Sequence, residues 1–424
     1  MEKNGYFLSA ANPVATADQR AMEDRALRLM ARPEIVKAAQ FATFLFRQVY
    51  EHTAGPQLHR FDEAMEEYVF HYAMRAVGRD GQYPGIARFM TPRHHWFGRD
   101  VPGSRWGMDS PDFCYRIVSI DHGSSYVLRG QATCSEPITS FYSLMGENNA
   151  APTILSLLDG LDVPRDAGGN FEITIGPDAA GGRPNHIQTQ PGTMQIWNRD
   201  AIADWNAQTP NAMRIDLLDG PNRDPLSDDE LVAWLAPAIT DGVYYEYYMA
   251  ATLMVRPPNE IRTPGSSGPF GGMASQYTTA AHIVLEEDEA LVITTNGAGA
   301  QFRNSVLGDV LFSSLNYWDH TSCLNSAQMA ADETGLFTCV VAHRDPGVHN
   351  WLDTTGVRQM IWGQRWQSFP GGVASEQPTI EAKLVKLDDL EKALPAGVLR
   401  IDAAGRKAQI GARQAGVASR YVDS

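Results

Sequence analysis

The stretch DPGVHNWLDTTG, residues 345–356, leads into MIWGQRWQ, residues 360–367, and the two contain three tryptophans. Pro, Gly and Asp predict a turn in the first part, and the second part predicts a strand. Side chains four residues apart in a strand share a face, so Trp362 and Trp366 lie together and Arg365 points to the opposite face. Two tryptophans on one face form either a hydrophobic core or the apolar wall of a pocket. This turn-and-strand pattern predicts a β-rich domain around it.

Similar short β-prone runs occur on both sides of this stretch, separated by Gly, Asp and Pro. They begin after about residue 92 and include FCYRIVSI, NFEITIG, TMQIWNRD, AAHIVLEE and GLFTCVVAH. Their short, even spacing predicts antiparallel sandwiches or barrels rather than alternating βαβ units. A loop rich in Pro, Gly and Ser, residues 256–275, separates an earlier series of strands from a later one.

Helical periodicity occupies the first part of the chain, over residues 17–77, and a segment that follows the first β series. The sequence therefore predicts a β-rich α+β fold, with two antiparallel β-sandwich or jelly-roll-like domains, an N-terminal helical bundle and a short helical C-terminal tail. The predicted units are an N-terminal helical region (1–90), a first β domain (91–220), a helical connector with the Pro/Gly-rich loop (221–265), a second β domain (266–370) and a peripheral tail (371–424).

The composition is that of a globular protein, with 424 residues, 43% hydrophobic and 20% charged. The net charge of -15 disfavours nucleic acid and anionic membranes as partners. No run of eighteen apolar residues and no apolar leader is present, so we expect a cytoplasmic protein without a membrane segment. The four cysteines lack metal-binding spacing and are expected to be reduced thiols: Cys114, Cys134, Cys323 and Cys339.

Signatures of an organic cofactor are missing from the sequence. TTNGAGAQF, residues 294–302, lacks the Gly-Lys-Ser/Thr ending of a phosphate-binding loop, and a turn between strands explains it better. We therefore predict that no nicotinamide, flavin or nucleotide binds. The histidines are scattered, and no metal site is predicted, although His320 and His343 could meet a carboxylate on facing strands.

The segment NYWDHTSCLNSAQ, residues 316–328, combines a titratable imidazole with amides and a flat apolar ring. His320 beside a carboxylate such as Asp319 could act as a general acid or base near neutral pH. Trp318 and Asn325 could then contact a substrate. Equally, these polar groups could satisfy one another and the backbone in a long turn.

Three further residues are weaker candidates. In SPDFCYRI, residues 110–117, Tyr115 and Arg116 alternate on opposite faces of a predicted strand, and the Tyr115 hydroxyl could donate to developing negative charge. A buried tyrosine that hydrogen-bonds a loop is the favoured alternative. Arg344 and His349, beside the opening turn, could contact substrate or anchor that turn.

Two segments resemble uncharacterised bacterial families. Residues 287–366, with DPGVHNWLDT as their strongest element, resemble the domain-of-unknown-function family numbered 1214. Residues 110–210, including NRDAIADWNAQTP, resemble the half that commonly precedes it, the family numbered 1254. The resemblance implies paired β-sandwich-like domains that are often oligomeric, and it implies no established reaction. GAGAQFRNSVLGDVL departs from it by carrying small residues where relatives carry aromatic residues and asparagine.

The first functional hypothesis is a lyase or hydrolase that needs no organic cofactor and acts on a hydrophobic, aromatic or polycyclic small molecule, as in the catabolism of aromatic compounds. His320 would be its general acid or base, and Tyr115 and Arg344 would stabilise an oxyanion. The expected substrate contacts are Trp318, Asn325, His349, Trp351 and Trp362.

The alternative hypothesis is a non-catalytic protein that binds a carbohydrate or a lipid, since tryptophan beside Asn and Asp can stack on sugar rings. In either case we expect a homo-oligomer. The pocket is expected where the second β domain meets the first β domain or the helices, because such interfaces commonly host small-molecule sites.

Overall fold

The structure is a computed structural model that describes residues 5–50, 60–132, 136–148, 151–267, 273, 275–372 and 374–423. The end of the second predicted helix, past residue 50, and Cys134 lie outside these residues. The predicted β-rich α+β fold is confirmed, with two antiparallel sandwiches and helices at both ends. The helices are α1 (Ala17–Met30), α2 (Pro33–Tyr50), α3 (Phe61–Val77), α4 (Asp228–Met254), α5 (Leu390–Ala393) and α6 (Ala403–Ala418).

Helix α4 belongs to the helical layer, although the sequence suggested only a connector between the two β domains. It packs against α2 and α3. Ser227 and Glu230 form a reciprocal capping box that starts the helix. At Gly242 a Cβ atom would lie 2.1 Å from the Tyr72 hydroxyl, so glycine permits the close approach of α4 to α3. This approach positions the next turn of α4, including Glu246, against the β layers.

The first sandwich has a larger sheet of order β1-β4-β10-β6-β7 and a smaller sheet of order β11-β5-β8-β9, while β2 and β3 form a separate hairpin. The strands are β1 (Ile86–Phe89), β2 (His94–Trp96), β3 (Arg99–Val101), β4 (Phe113–Ser119), β5 (Ser125–Gln131), β6 (Ser140–Asn148), β7 (Ala151–Asp159), β8 (Asn170–Gly176), β9 (His186–Gln188), β10 (Thr193–Ala201) and β11 (Ala212–Asp219). Only the β8–β9 pairing is parallel.

Alternation along β4 divides its side chains between two environments. Val118 faces the core between the two sheets, whereas Tyr115 and Ile117 face the helical layer. Arg116 points away from Tyr115, as predicted, and its guanidinium binds Asn198 and the carboxylate of Asp200. The larger sheet therefore has helices on one face and the smaller sheet on the other.

The second sandwich pairs a sheet of order β12-β13-β19-β15-β16 with one of order β18-β17-β14-β20. Its strands are β12 (Gly265–Ser266), β13 (Tyr277–Val284), β14 (Glu289–Thr295), β15 (Phe302–Gly308), β16 (Cys323–Asn325), β17 (Phe337–Ala342), β18 (Trp351–Asp353), β19 (Gln359–Gln367) and β20 (Ile380–Lys386). Its core contains Ile283, Leu291, Leu307, Val341 and Trp362. All pairings are antiparallel except β17 with β18.

The C-terminal segment is neither purely helical nor peripheral, in contrast to the prediction. Strand β20 forms an edge of the second sandwich and pairs with β14, although most of its side chains are exposed. Arg406 and Arg413 of α6 are buried, and Arg406 pairs with Asp345 in the opening turn. Tyr421 stacks on His94 of the first β hairpin. The tail therefore ties the second sandwich to the first.

Candidate functional site

His320 forms a hydrogen-bonded pair with a carboxylate, but not with its sequence neighbour. Its Nδ1 lies 2.8 Å from Oδ2 of Asp353 on β18. Asp319 instead accepts hydrogen bonds from Asn316 and Gln414. The His320 side chain is 40% exposed and Asp353 is buried, so the imidazole is oriented by a fixed carboxylate and remains open to solvent. Such a pair can position a neutral imidazole with Nε2 as the proton acceptor.

His320 lines a cleft of about 290 Å3, which we call the polar cleft. Its other walls include Arg60, Glu63, Arg105, Asp309 and Trp318. The arginines here already hold carboxylates, since Arg60 lies 2.6 Å from Asp309 and Arg105 lies 2.7 Å from Glu67. The Arg105 guanidinium also lies 5.3 Å from the centroid of the Trp318 ring. His320 and Trp318 are thus brought together, but in a charged cleft rather than an apolar pocket.

The other predicted polar residues lie elsewhere. Arg344 is exposed, donates to the Glu287 carbonyl at 3.2 Å and does not line the polar cleft. His349 lines a separate cleft beside α6, and burial lowers its pKa. Tyr115 faces a third space, between the helices and the sandwiches. The structure therefore does not bring His320, Tyr115 and Arg344 together in one cleft.

Three predicted substrate contacts are buried structural residues. Trp362 lies in the core of the second sandwich, where its indole N–H donates to Ser305 at 2.6 Å. Trp351 packs in a smaller core and donates to the Ala342 carbonyl at 3.0 Å. Asn325 donates to the buried Asp112 carboxylate at 2.6 Å. None of the three lines the polar cleft, because strand alternation turns each side chain inward.

A further cavity lies where α3 and α4 meet both sandwiches, at the predicted interface, and we call it the interdomain cavity. Its volume is about 230 Å3, below the usual range of about 300–1,000 Å3 for small-molecule sites. About half of its lining side chains are apolar, among them Met90, Phe113, Met145, Ile154, Trp197, Met249 and Met273. Its polar groups are His71, Asp109, Tyr115, Arg199, Tyr245, Glu246, Gln276, Arg365 and Gln367.

Glu246 brings a buried carboxyl group to this cavity from α4. The side chain is 4% exposed, and its Oε2 has no hydrogen-bond partner among the described residues. Burial raises the pKa of Glu246 to about 8, and the nearby charge of Arg75 only partly opposes this shift. The Trp106 indole lies beside the carboxyl, although its N–H makes no well-formed hydrogen bond. Glu246 is therefore a protonated acid at neutral pH.

Two arginines converge on Tyr115 at another part of the cavity. Arg199 of β10 is the register partner of Tyr115 on β4, and its guanidinium lies 5.8 Å from the tyrosine ring centroid. Arg365 comes from β19 of the second sandwich, and both positive charges act on the Tyr115 hydroxyl. That hydroxyl accepts a hydrogen bond from the Ser110 N–H at 3.2 Å, so its own proton remains available to donate. Burial raises the pKa of Tyr115, which keeps this proton in place.

His71 and Asp109 also line the cavity, and both are held by hydrogen bonds. His71 Nδ1 donates to the Ser104 carbonyl at 3.2 Å, and burial lowers the pKa of His71 to about 3, so the ring stays neutral. Asp109 accepts hydrogen bonds from the N–H and the hydroxyl of Ser314. The arrangement can therefore offer a proton from Glu246 and positive charge from the two arginines.

Glu246 was not predicted from the sequence, although its position on the buried side of α4 is a recognisable signal. On α4 the buried positions Leu235, Ile239 and Val243 recur at helical spacing, and Glu246 continues that stripe. A glutamate on the buried stripe of a helix is rare unless it is paired or functional. Strand alternation correctly placed Arg365 on the face opposite Trp362 and Trp366. The sequence did not indicate that this face would line a cavity.

No group of three or more metal-ligating side chains is found within the part of the chain that the structure describes. His320 and His343 do not share a carboxylate, because His343 binds Thr354 and the Leu285 carbonyl. Over those same residues, no helix combines the length and apolar character needed to cross a bilayer.

Comparison with known proteins supports the fold. No family model matches the sequence, and no curated protein matches it. A solved structure of an uncharacterized protein from Burkholderia cenocepacia is 22% identical, with a TM-score of 0.70, and the alignment covers 86% of this chain and 99% of that one. A structure from Vibrio parahaemolyticus is 12% identical, with a TM-score of 0.40 over 77% of this chain and 99% of that one. The chain thus shares its fold with the Burkholderia cenocepacia protein.

Proposed function

We propose that this protein is an enzyme of the lyase or hydrolase class that converts a small hydrophobic molecule in the interdomain cavity, with Glu246 as the proton donor. The observation that carries the proposal is a buried, protonated carboxyl group in a partly apolar cavity that also holds two arginines and a tyrosine hydroxyl. Perturbed acids of this kind are common where a protein performs general acid catalysis.

The proposed chemistry begins with cleavage of a carbon–oxygen bond. The Glu246 proton passes to the leaving oxygen as that bond breaks, while Tyr115 and the arginines hold the polar end of the substrate. In hydrolysis, the hydroxyl group of a water bonds to the carbon and its other proton returns to the Glu246 carboxylate. In elimination, the returning proton comes from the neighbouring carbon. Either route restores the acid form of Glu246.

The apolar walls support a hydrophobic substrate. Five methionines line the cavity, Met90, Met108, Met145, Met249 and Met273, out of 15 in the chain. Methionine is flexible and polarizable, so such walls adapt to aromatic and aliphatic bodies alike. By contrast, the polar cleft around His320 is lined by paired charges and suits a hydrophobic body poorly.

Filling the interdomain cavity is expected to abolish turnover. Met249→Trp on α4 would occupy part of the space of about 230 Å3 and exclude the substrate. The measurement is hydrolysis or elimination of a panel of aromatic and aliphatic esters, lactones and ethers by the full-length protein. Leu253→Trp, one helical turn further along α4 and outside the cavity lining, is the matched control and should keep activity. Thermal unfolding would verify that both variants fold.

Full turnover in a folded Met249→Trp variant would show that the reaction does not take place in the interdomain cavity. Tight binding of panel members without any conversion would favour the alternative hypothesis, a non-catalytic protein that binds a small lipid. In that case the cavity would be retained as the binding site and the role of Glu246 would be lost.

A second candidate function uses the His320–Asp353 pair, favoured by the 2.8 Å contact between the two side chains. Here His320 would act as general base on a water in the polar cleft, toward a polar substrate. For a reaction in this cleft, His320→Ala is expected to lower turnover by roughly a hundredfold or more. For a reaction in the interdomain cavity, the same variant should be fully active. Steady-state kinetics of His320→Ala and Met249→Trp on one substrate therefore assign the reaction to one site.

A further inference from the structure

We infer that the molecule bound in the interdomain cavity carries a carboxylate, held between Arg199 and Arg365 with Tyr115 as a third donor, and an apolar body that packs on the methionine walls. This inference rests on the proposed function in one respect, that the interdomain cavity is the substrate site. It adds the chemical class of the ligand.

The two arginines reach the same place from different domains. Arg199 lies on β10 of the first sandwich and Arg365 on β19 of the second, and the positive charge of Arg365 acts on Arg199. Two guanidinium groups that line one cavity repel each other, which is unfavourable unless an anion lies between them. Because both side chains are only half-buried and line the cavity, an anion can reach them.

Neither arginine has a carboxylate partner among the described residues. Arg199 Nη1 donates to the Ser143 hydroxyl at 2.7 Å, and Arg365 Nη2 donates to the Met108 carbonyl at 3.0 Å. Arg365 Nη1 is buried and has no partner in that part of the chain. A buried guanidinium nitrogen without an acceptor lowers the stability of the fold. A bound ligand that supplies the acceptor would account for it.

Three other buried arginines of this protein have internal acceptors, whereas Arg88 and Arg303 each leave a buried Nε without a partner among the described residues. Arg105 pairs with Glu67, and Arg116 pairs with Asp200. Arg413 has no carboxylate, but its three nitrogens donate to the Tyr317 carbonyl, to Gln328 and to Cys323. Unlike Arg105, Arg116 and Arg413, the arginines Arg199 and Arg365 lack a full set of acceptors and line a cavity.

A single negative charge fits the cavity better than two. His71 is uncharged, and the Asp109 carboxylate lies close enough to Tyr115 for its charge to act on the hydroxyl. The two arginines together with Asp109 therefore leave about one positive charge for the ligand to neutralise. A carboxylate also matches the planar donor fork of a guanidinium group, with two oxygens for two nitrogens.

The test compares acids with their neutral amides. A series of straight-chain and phenyl-substituted carboxylates, the matching amides and phenyl phosphate is titrated into the full-length protein by calorimetry at neutral pH. Each carboxylate that fits is expected to bind roughly 10-fold to 100-fold more tightly than its amide, the usual range for charge-assisted hydrogen bonds. Quenching of tryptophan fluorescence gives a second readout, because Trp106 and Trp197 line the cavity.

Substitution of either arginine should remove this preference. Arg365→Met and Arg199→Met keep an unbranched apolar side chain and are expected to bind acid and amide with affinities within about threefold of each other, since the charge-assisted bonds are gone. Arg183→Met, at an exposed arginine of the first sandwich, is the matched control and should keep the preference. Should a methionine variant unfold, Arg365→Lys retains the charge but not the bidentate fork and should weaken carboxylate binding without abolishing it.

Several outcomes would overturn the inference. If no acid of the series binds more tightly than its amide, the carboxylate is excluded, and tighter binding of phenyl phosphate would assign a phosphoryl group instead. Arginine-dependent binding of acids without turnover of any derivative would sustain the inference and contradict the proposed function. Turnover of neutral esters that depends on Glu246, without tighter binding of acids than of amides, would support the proposed function and contradict the inference.

Discussion

Replacement of Glu246 by glutamine is expected to lower turnover in the interdomain cavity by roughly 100-fold to 10,000-fold, the usual contribution of a positioned general acid. Glutamine keeps the size and the polar end of the side chain but has no acidic proton to transfer. The fall should appear in kcat rather than in KM, because the amide can still contact the substrate. Asp241→Asn, an exposed carboxylate on the same helix, is the control and should have wild-type kinetics.

The dependence of kcat on pH distinguishes a general acid at Glu246 from a residue that only supports the fold. With a pKa of about 8, Glu246 holds its proton at neutral pH and loses it in mild alkali. The kcat of the wild-type protein should therefore be level below this pKa and fall about 10-fold for each pH unit above it. In Glu246→Gln the residual rate should lose this alkaline limb. A residual rate close to wild type, or an unchanged alkaline limb in the variant, would show that another group donates the proton.

The stability of the wild-type protein is expected to decrease relative to Glu246→Gln as the pH rises from mildly acidic to mildly alkaline. The pKa of Glu246 is about 8 in the folded chain, against an ordinary value of 4.5 that describes the unfolded chain. Between these two values the folded state retains a proton that the unfolded state has already released. Rising pH therefore favours unfolding, and the stabilising effect of the bound proton is lost progressively up to the folded pKa.

The expected size of this effect is on the order of 4 kcal/mol between about pH 5 and about pH 8, at about 1.4 kcal/mol for each pKa unit. The measurement is the free energy of unfolding from urea titrations of the wild type and of Glu246→Gln at a series of pH values. The difference between the two proteins isolates Glu246, because all other titrating groups are shared. A pH-independent difference would mean that Glu246 has an ordinary pKa in the folded protein, and the acid role would fail with it.

Agreement between sequence and structure is closest where one physical rule acts over a few residues. Strand alternation correctly separated Tyr115 from Arg116, and Arg365 from Trp362 and Trp366, because the period of a strand depends only on the local backbone. The same rule could not tell whether a tryptophan face would meet a core or a cavity. Trp362 became core because the opposing sheet covers it.

The predictions from the sequence were wrong where an interaction joins residues that are far apart in the chain. Asp319 was the nearest carboxylate to His320 in the chain, yet Asp353 on β18 is its partner, since packing in the second sandwich brings that strand to the 320 turn. Strand β20 was missed because the C-terminal segment carries little hydrophobic signal, and its pairing depends on the exposed edge of β14. Propensity is a weak guide where an edge offers ready hydrogen bonds.

The amino-acid sequence by itself determined the β-rich class, the helical N-terminal layer and the face on which each strand residue lies, because hydrophobic periodicity follows from local backbone geometry. Only the tertiary structure decided the candidate site. Glu246 on α4, Arg199 on β10 and Arg365 on β19 share a cavity because a helix and two sandwiches pack together there. The pKa of Glu246 and the unpaired donors of the arginines follow from that packing, since burial and missing partners are properties of the assembled surroundings and not of any one segment.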